Sequence, residues 1–136
     1  MTTLVSAREL ATELFDSLWN DRTPVVYGND NAGHDKGLVA WVRMTVSHAP
    51  VGGQETLGPV GQRRFQRNAI AQVEIRSPVN QGKAAADALT HAARGIFEGK
   101  TYQGLYFGDA QARELGQDGR WDVTLVEAEF FYEERK

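Results

Sequence analysis

The densest run of residues able to do chemistry in this 136-residue chain is Gly28-Asn29-Asp30-Asn31-Ala32-Gly33-His34-Asp35. Carboxylate and amide oxygens in such close order can hold Ca²⁺ or Mg²⁺. The run lacks the closing bidentate Glu and the flanking helices of an EF-hand, and Asn, Asp and Gly equally build turn-rich loops. Asp30, His34 and Asp35 therefore stand as a possible divalent site beside a plain loop reading. The three histidines, His34, His48 and His91, fall in a loop, near a strand end and inside a helix, without HExxH or paired-His spacing. Ser47 and His48 are neighbours on a strand, so their side chains point to opposite faces. With no Cys and no GxSxG elbow, nucleophilic hydrolysis is disfavoured. Gly53 and Gly58 have the spacing of a phosphate-cradling loop, but Pro59 follows where Lys is needed, and Gly82-Lys83 lacks both the upstream glycine and the Ser/Thr. No catalytic, cofactor-binding or metal residue is assigned, and no cofactor is expected.

The elements that would position a site are legible from periodicity. Ser6 and Glu9 form a capping box ahead of Leu10, Leu14, Phe15 and Leu18, which predicts an amphipathic helix over residues 6–19. Asn20, Asp21 and Pro24 end it, Val25 to Tyr27 reads as a short strand, and Gly28 to Gly37 reads as a loop. Leu38, Ala40, Val42, Met44 and Val46 make one apolar face of a long strand. Pro50, Gly52, Gly53, Gly58 and Pro59 mark residues 49–61 as an extended connection. A second strand follows, with Phe65, Arg67, Ala69, Ala71, Val73 and Ile75 on one face, and it pairs antiparallel with the first. Ser77 and Pro78 break it. From about Gln81, the spacing of Ala85, Ala88, Leu89, Ala92, Ala93, Ile96 and Phe97 predicts a helix ending at Gly99. Residues 104–115 make a weaker strand, Gly116 to Gly119 a hairpin turn, and Trp121 to Tyr132 a closing strand rich in β-branched and aromatic residues. The sum is one α+β domain over 1–136: a mixed, mainly antiparallel sheet with two helices packed on one face.

A chain of 15.1 kDa buries about two-thirds of its unfolded surface, enough for a core without metal or crosslinks. Absence of cysteine excludes a disulfide scaffold and a zinc ribbon. A net charge of −3 offers no attractive field to nucleic acid. Neither a membrane span nor a secretory signal is read, so a cytoplasmic protein without membrane contact is expected. Charge is unevenly spread: Arg63, Arg64, Arg67 and Arg76 face only Glu74 between Gly58 and Arg76, whereas Asp109 to Lys136 holds eight acids against four bases. Either the two strands pair with each other, or opposite patches meet across a subunit interface and close a ring.

The stretch Arg67-Asn68-Ala69-Ile70-Ala71-Gln72-Val73-Glu74-Ile75-Arg76-Ser77-Pro78, then Gly82 and the alanine-rich helix through Phe97-Glu98-Gly99, resembles the strand-then-helix core of the tail terminator proteins of long-tailed bacteriophages, the lambda-type minor tail protein family. The helix Leu10 to Trp19 followed by Thr23-Pro24-Val25-Val26-Tyr27, and the strand Trp121 to Tyr132, occupy the places that family would assign. The resemblance implies a structural virion protein and no reaction. It implies a homohexameric ring at the head-proximal end of the tail, assembled in the host cytoplasm, that caps the tube of tail tube protein. That ring would present a surface to the head–tail connector, and DNA would pass its lumen without specific recognition. Val51, Leu57, Val60 and Phe65 are then the apolar anchors expected to face the tube. Arg63, Arg64 or Arg67 is expected to meet Glu127, Glu129 or Glu133 on the neighbouring subunit. The alternatives are a head–tail connector or tail-completion adaptor, and a small ligand-binding or metal-dependent α+β domain using Asp30, His34 and Asp35.

Overall fold

The computed structural model describes residues 4–20, 22–28, 40–48, 64–79 and 83–135. Among these residues, two helices, α1 (Leu4–Trp19) and α2 (Lys83–Phe97), combine with six strands: β1 (Val25–Tyr27), β2 (Trp41–His48), β3 (Arg64–Pro78), β4 (Thr101–Tyr102), β5 (Leu105–Asp118) and β6 (Trp121–Arg135). The strands form one sheet in the order β1-β2-β3-β6-β5-β4. Only β1 runs parallel to its neighbour, β2; every other pairing is antiparallel. The α+β class and the mixed, mainly antiparallel sheet are as the periodicity indicates.

The predicted antiparallel pair of β2 and β3 forms with Met44 opposite Val73 and Val46 opposite Ala71. The long β3 then pairs along its whole length with β6, from Arg64↔Arg135 to Pro78↔Trp121. One continuous core takes Ala7, Ala11, Leu14, Phe15 and Trp19 from α1, and Ala93, Ile96 and Phe97 from α2. Against them lie Val42, Met44 and Val46 of β2, Ala69 to Ile75 at alternate positions of β3, and Val126, Ala128, Phe130 and Tyr132 of β6. The alanines on β3 and β6 are what admit large rings. Aromatic contacts run from Trp19 to Phe15 (5.1 Å), Phe15 to Phe97 (6.0 Å), Phe97 to Phe107 (5.2 Å), Phe107 to Phe130 (4.8 Å) and Phe130 to Tyr132 (6.4 Å). Stacked and tilted rings at these separations stabilise beyond their buried area.

Several expectations are corrected. Helix α1 begins at Leu4, so Ser6 lies within its first turns and is not the N-cap, and Leu18 is exposed while Trp19 is wholly buried. Ser77 and Pro78 do not break the strand: they are its last residues, paired with Asp122 and Trp121. Proline is tolerated there because the strand ends immediately after it. In α2, Ala85 and Ala88 face solvent and the buried positions are Ala86, Ala93, Ile96 and Phe97. The apolar stripe of an alanine-rich helix is degenerate, since Ala is small enough for either side. The hairpin turn is Gly119-Arg120, with Asp118 paired to Trp121, and Gly116 (φ 91°) sits instead at a bulge inside β5. The two-residue strand β4 is an addition to the elements that periodicity marks. It turns into β5 through Gln103 (φ 45°) and Gly104 (φ 90°), the left-handed pair of a type I′ hairpin. Leu38, residues 29–37 of the loop predicted over Gly28 to Gly37, and the connection predicted over 49–61 lie outside the described residues.

Candidate interaction surface

On the side of β2, β3 and β6 opposite the main core, the strands carry Trp41, Arg43 and Thr45; Ile70, Gln72, Glu74 and Arg76; and Trp121, Val123, Glu127, Glu129 and Phe131. This face divides into three parts along the strands. At the Trp41 end, Val26, Trp41, Trp121 and Val123 form a second small buried cluster, with the two indoles edge to face at 6.2 Å. Guanidinium groups cover it: Arg43 and Arg76 lie 5.8 and 5.6 Å from the Trp41 ring, and Arg120 lies 5.3 Å from Trp121. Arg76 is held there by Glu74 (2.6 Å) and Asp118 (2.9 Å), and Arg43 donates to the Gly28 carbonyl at 3.1 Å.

In the middle, Glu127 accepts from Gln72 (3.3 Å) and pairs with Arg113 (3.2 Å). Beyond it the character changes. A notch of about 250 Å³ is lined by Ile70, Gly108, Asp109, Gln111, Glu127 and Glu129. It exists because the β5–β6 register shifts between Phe107 and Ala110, pushing Gly108 and Asp109 out of the ladder. Next to this notch, Tyr106 and Phe131 are opposite each other and stack at 4.9 Å with 19° between their planes. Both remain open to solvent, at 43% and 39%. A stacked aromatic pair exposed on the polar side of a sheet makes this spot a candidate interaction surface.

The residues singled out in the sequence are dispersed. Arg67 falls on the core side of β3, opposite Tyr132, where it lies 3.9 Å from Glu134 and 5.1 Å from the ring of Phe65. Glu127 and Glu129 fall on the other side, the former already paired with Arg113. Glu133 is exposed opposite Gln66. Phe65 is half-buried. Within the chain, the basic and acidic stretches are thus neighbouring strands, β3 and β6, as one of the two electrostatic readings expects. The backbone of Arg64 pairs with that of Arg135. Val51, Leu57, Val60, Arg63, Asp30, His34 and Asp35 lie outside the described residues. His48 and His91 are exposed on different elements, and among the described residues no three His, Asp or Glu side chains gather to hold a metal ion. A second, open cleft of about 570 Å³ lies between α1 and β2, lined by Arg8, Thr12, Tyr27, Met44 and Ser47 among others.

Sequence reasoning missed Tyr106, Asp109 and Ile70 and passed over Phe131. A signal was present: Phe130 and Phe131 are adjacent in a period-two strand, so only one can enter the core.

No family model and no curated protein matches the sequence. The fold itself is similar to a solved structure with a TM-score of 0.63, over 94% of this chain and 96% of the other, at 13% identity. Likeness at that identity concerns the fold alone.

Proposed function

We propose that this chain is a structural tail-terminator subunit of the long-tailed bacteriophage type, one domain over residues 1–136 with no enzymatic role. It forms a homohexameric ring at the head-proximal end of the tail, ends polymerisation of the tube and offers a surface to the head–tail connector. DNA passes its lumen without sequence readout. In this reading both helices sit on one face of the sheet, a placement supported by the core they share with β2, β3, β5 and β6. The opposite face is left for contact with other proteins.

The observation that carries the reading is the exposed Tyr106–Phe131 pair on that face, two large rings stacked on each other and left open to solvent. The strand-then-helix stretch from Arg67 to Gly99 supports the same assignment through its resemblance to the terminator family. The test is polymerisation of purified tail tube protein with and without this chain, followed by electron microscopy. Capped tubes of arrested length, with a six-fold ring at one end, are expected. Tubes that grow equally long in both samples overturn the terminator reading, and binding to the connector without binding to tubes replaces it with the adaptor. Replacing residues 52–61 with a short Gly-Ser linker is expected to abolish capping at an unchanged melting temperature.

A further inference from the structure

Aromatic rings elsewhere in this molecule are repeatedly covered by arginine. Trp19 carries Arg22, Trp41 carries Arg43 and Arg76, Phe65 carries Arg67, and Trp121 carries Arg120. The Tyr106–Phe131 pair is different: among the described residues no cation lies over either ring. Beside that pair the same pattern recurs for carboxylates. Glu127, at one end of the notch, holds Arg113 at 3.2 Å. Asp109 and Glu129 line the rest of the notch, and neither has a basic partner among the described residues.

We propose that the notch between Ile70, Asp109 and Glu129, together with the Tyr106–Phe131 stack, is a receptor for an arginine side chain on another protein, set in a segment that also brings an apolar residue. Charge complementarity defines the occupant. Two carboxylates without a basic partner among the described residues suit a guanidinium, and the adjoining rings match its flat face, which an ammonium ion serves less well. Cation–π and charge-assisted contacts on a half-exposed surface are individually small, so the apolar neighbour docking against Ile70 and the rings provides the remainder. The proposal names a partner chemistry for the face used in the terminator reading, yet it rests on the isolated chain and is tested without a tail tube.

The experiment is a nitrogen-15 amide NMR titration of the full chain with three acetylated, amidated peptides: Arg-Leu-Arg, Lys-Leu-Lys and Glu-Leu-Glu. Saturable shifts at the amides of Ile70, Gly108, Asp109, Glu129 and Phe131 are expected with the arginine peptide. The lysine peptide should bind several-fold more weakly and the acidic one should leave these amides unmoved. The double variant Asp109→Asn, Glu129→Gln keeps the shape of the notch, and it should weaken the arginine peptide about tenfold, as loss of a charge-assisted pair implies. Shifts that do not saturate, that centre on the exposed Glu9, Glu13 and Asp16 of α1, or that persist unchanged in the double variant overturn the proposal. Equal binding of the lysine peptide overturns the arginine preference. Tube capping that survives the double variant would separate this receptor from the terminator reading, and failure of capping by the parent chain would leave the titration result standing.

Discussion

At the scale of single residues, burial among the described residues is not always matched by hydrogen bonds. The Ser77 hydroxyl and the Tyr132 phenol are fully enclosed and have no partner. Burial pushes the Tyr132 phenol above its ordinary value of 10.0, the charge of Glu134 adds to the rise, and Arg67 and Arg8 oppose it. A phenol whose folded value is raised contributes stability below the unfolded value near 10, and that contribution is lost as pH climbs through the folded value. Tyr132→Phe is therefore expected to unfold in urea within about 0.5 kcal/mol of the parent, or above it, at neutral pH, because removing a buried unsatisfied hydroxyl costs little. Above pH 10 the parent should lose stability relative to the variant, and urea melts at pH 7 and at pH 10.5 check both statements. Phe97 is the opposite case, a wholly buried ring touching Phe15 and Phe107. Phe97→Ala should cost about 3–5 kcal/mol by denaturant titration, since it opens a cavity where α1, α2 and β5 meet.

At the scale of elements, turn chemistry decides where the strands reverse. Gln103 holds φ 45° at the first position of the β4–β5 turn, a conformation that Asn adopts at lower cost. Gln103→Asn is expected to raise stability by about 0.5 kcal/mol, read as a shift in the urea midpoint at constant slope. Gly119 (φ 62°) opens the β5–β6 turn, and a Cβ there would meet nothing within 4 Å, so the cost of Gly119→Ala is backbone strain alone. About 1 kcal/mol of destabilisation is expected from that strain. Helix α2 is tied at both ends: Lys83 pairs with Asp122 at 2.9 Å, and Arg94 donates through Nε to the Ala110 carbonyl at 3.1 Å. The second contact falls beside the bulge that makes the notch, so α2 helps hold Gly108 and Asp109 where they line it.

For the whole molecule, the sheet is strongest in the middle and thinnest at its rims. Strands β3 and β6 are paired to each other over fifteen residues each and flanked on both sides, whereas β1 and β4 have three and two residues. Amide hydrogen exchange should accordingly be slowest at Ala71, Val73, Val126 and Ala128 and fastest in β1 and β4, with an intermediate outer half of β5. Uniform protection across the sheet would contradict this layout. Beyond β4 the outer edge of β5 is exposed from Gln111 to Asp118, and it is blunted by Arg113, Glu114 and the bulge at Gly116. Those are devices that discourage edge-to-edge pairing.

The sequence by itself determined the α+β class, the two helices, the long strands and the buried faces of β2 and β3, because a residue's side of a strand follows from counting by two. Val42, Met44 and Val46, or Ala71, Val73 and Ile75, could have gone nowhere else. It also left open whether the basic and acidic stretches pair within the chain, and the tertiary structure decided that they are adjacent strands, β3 and β6. Alternation then put Arg67 and Glu129 on opposite sides of one sheet, although both looked like partners on a list of charges. The notch and its aromatic neighbours were decided only in three dimensions. Ile70, Asp109, Glu129, Tyr106 and Phe131 come from three strands, and a one-residue bulge sets their spacing. Local periodicity carries no record of strand order or of where a ladder slips, since both are fixed by which faces find each other in the folded core.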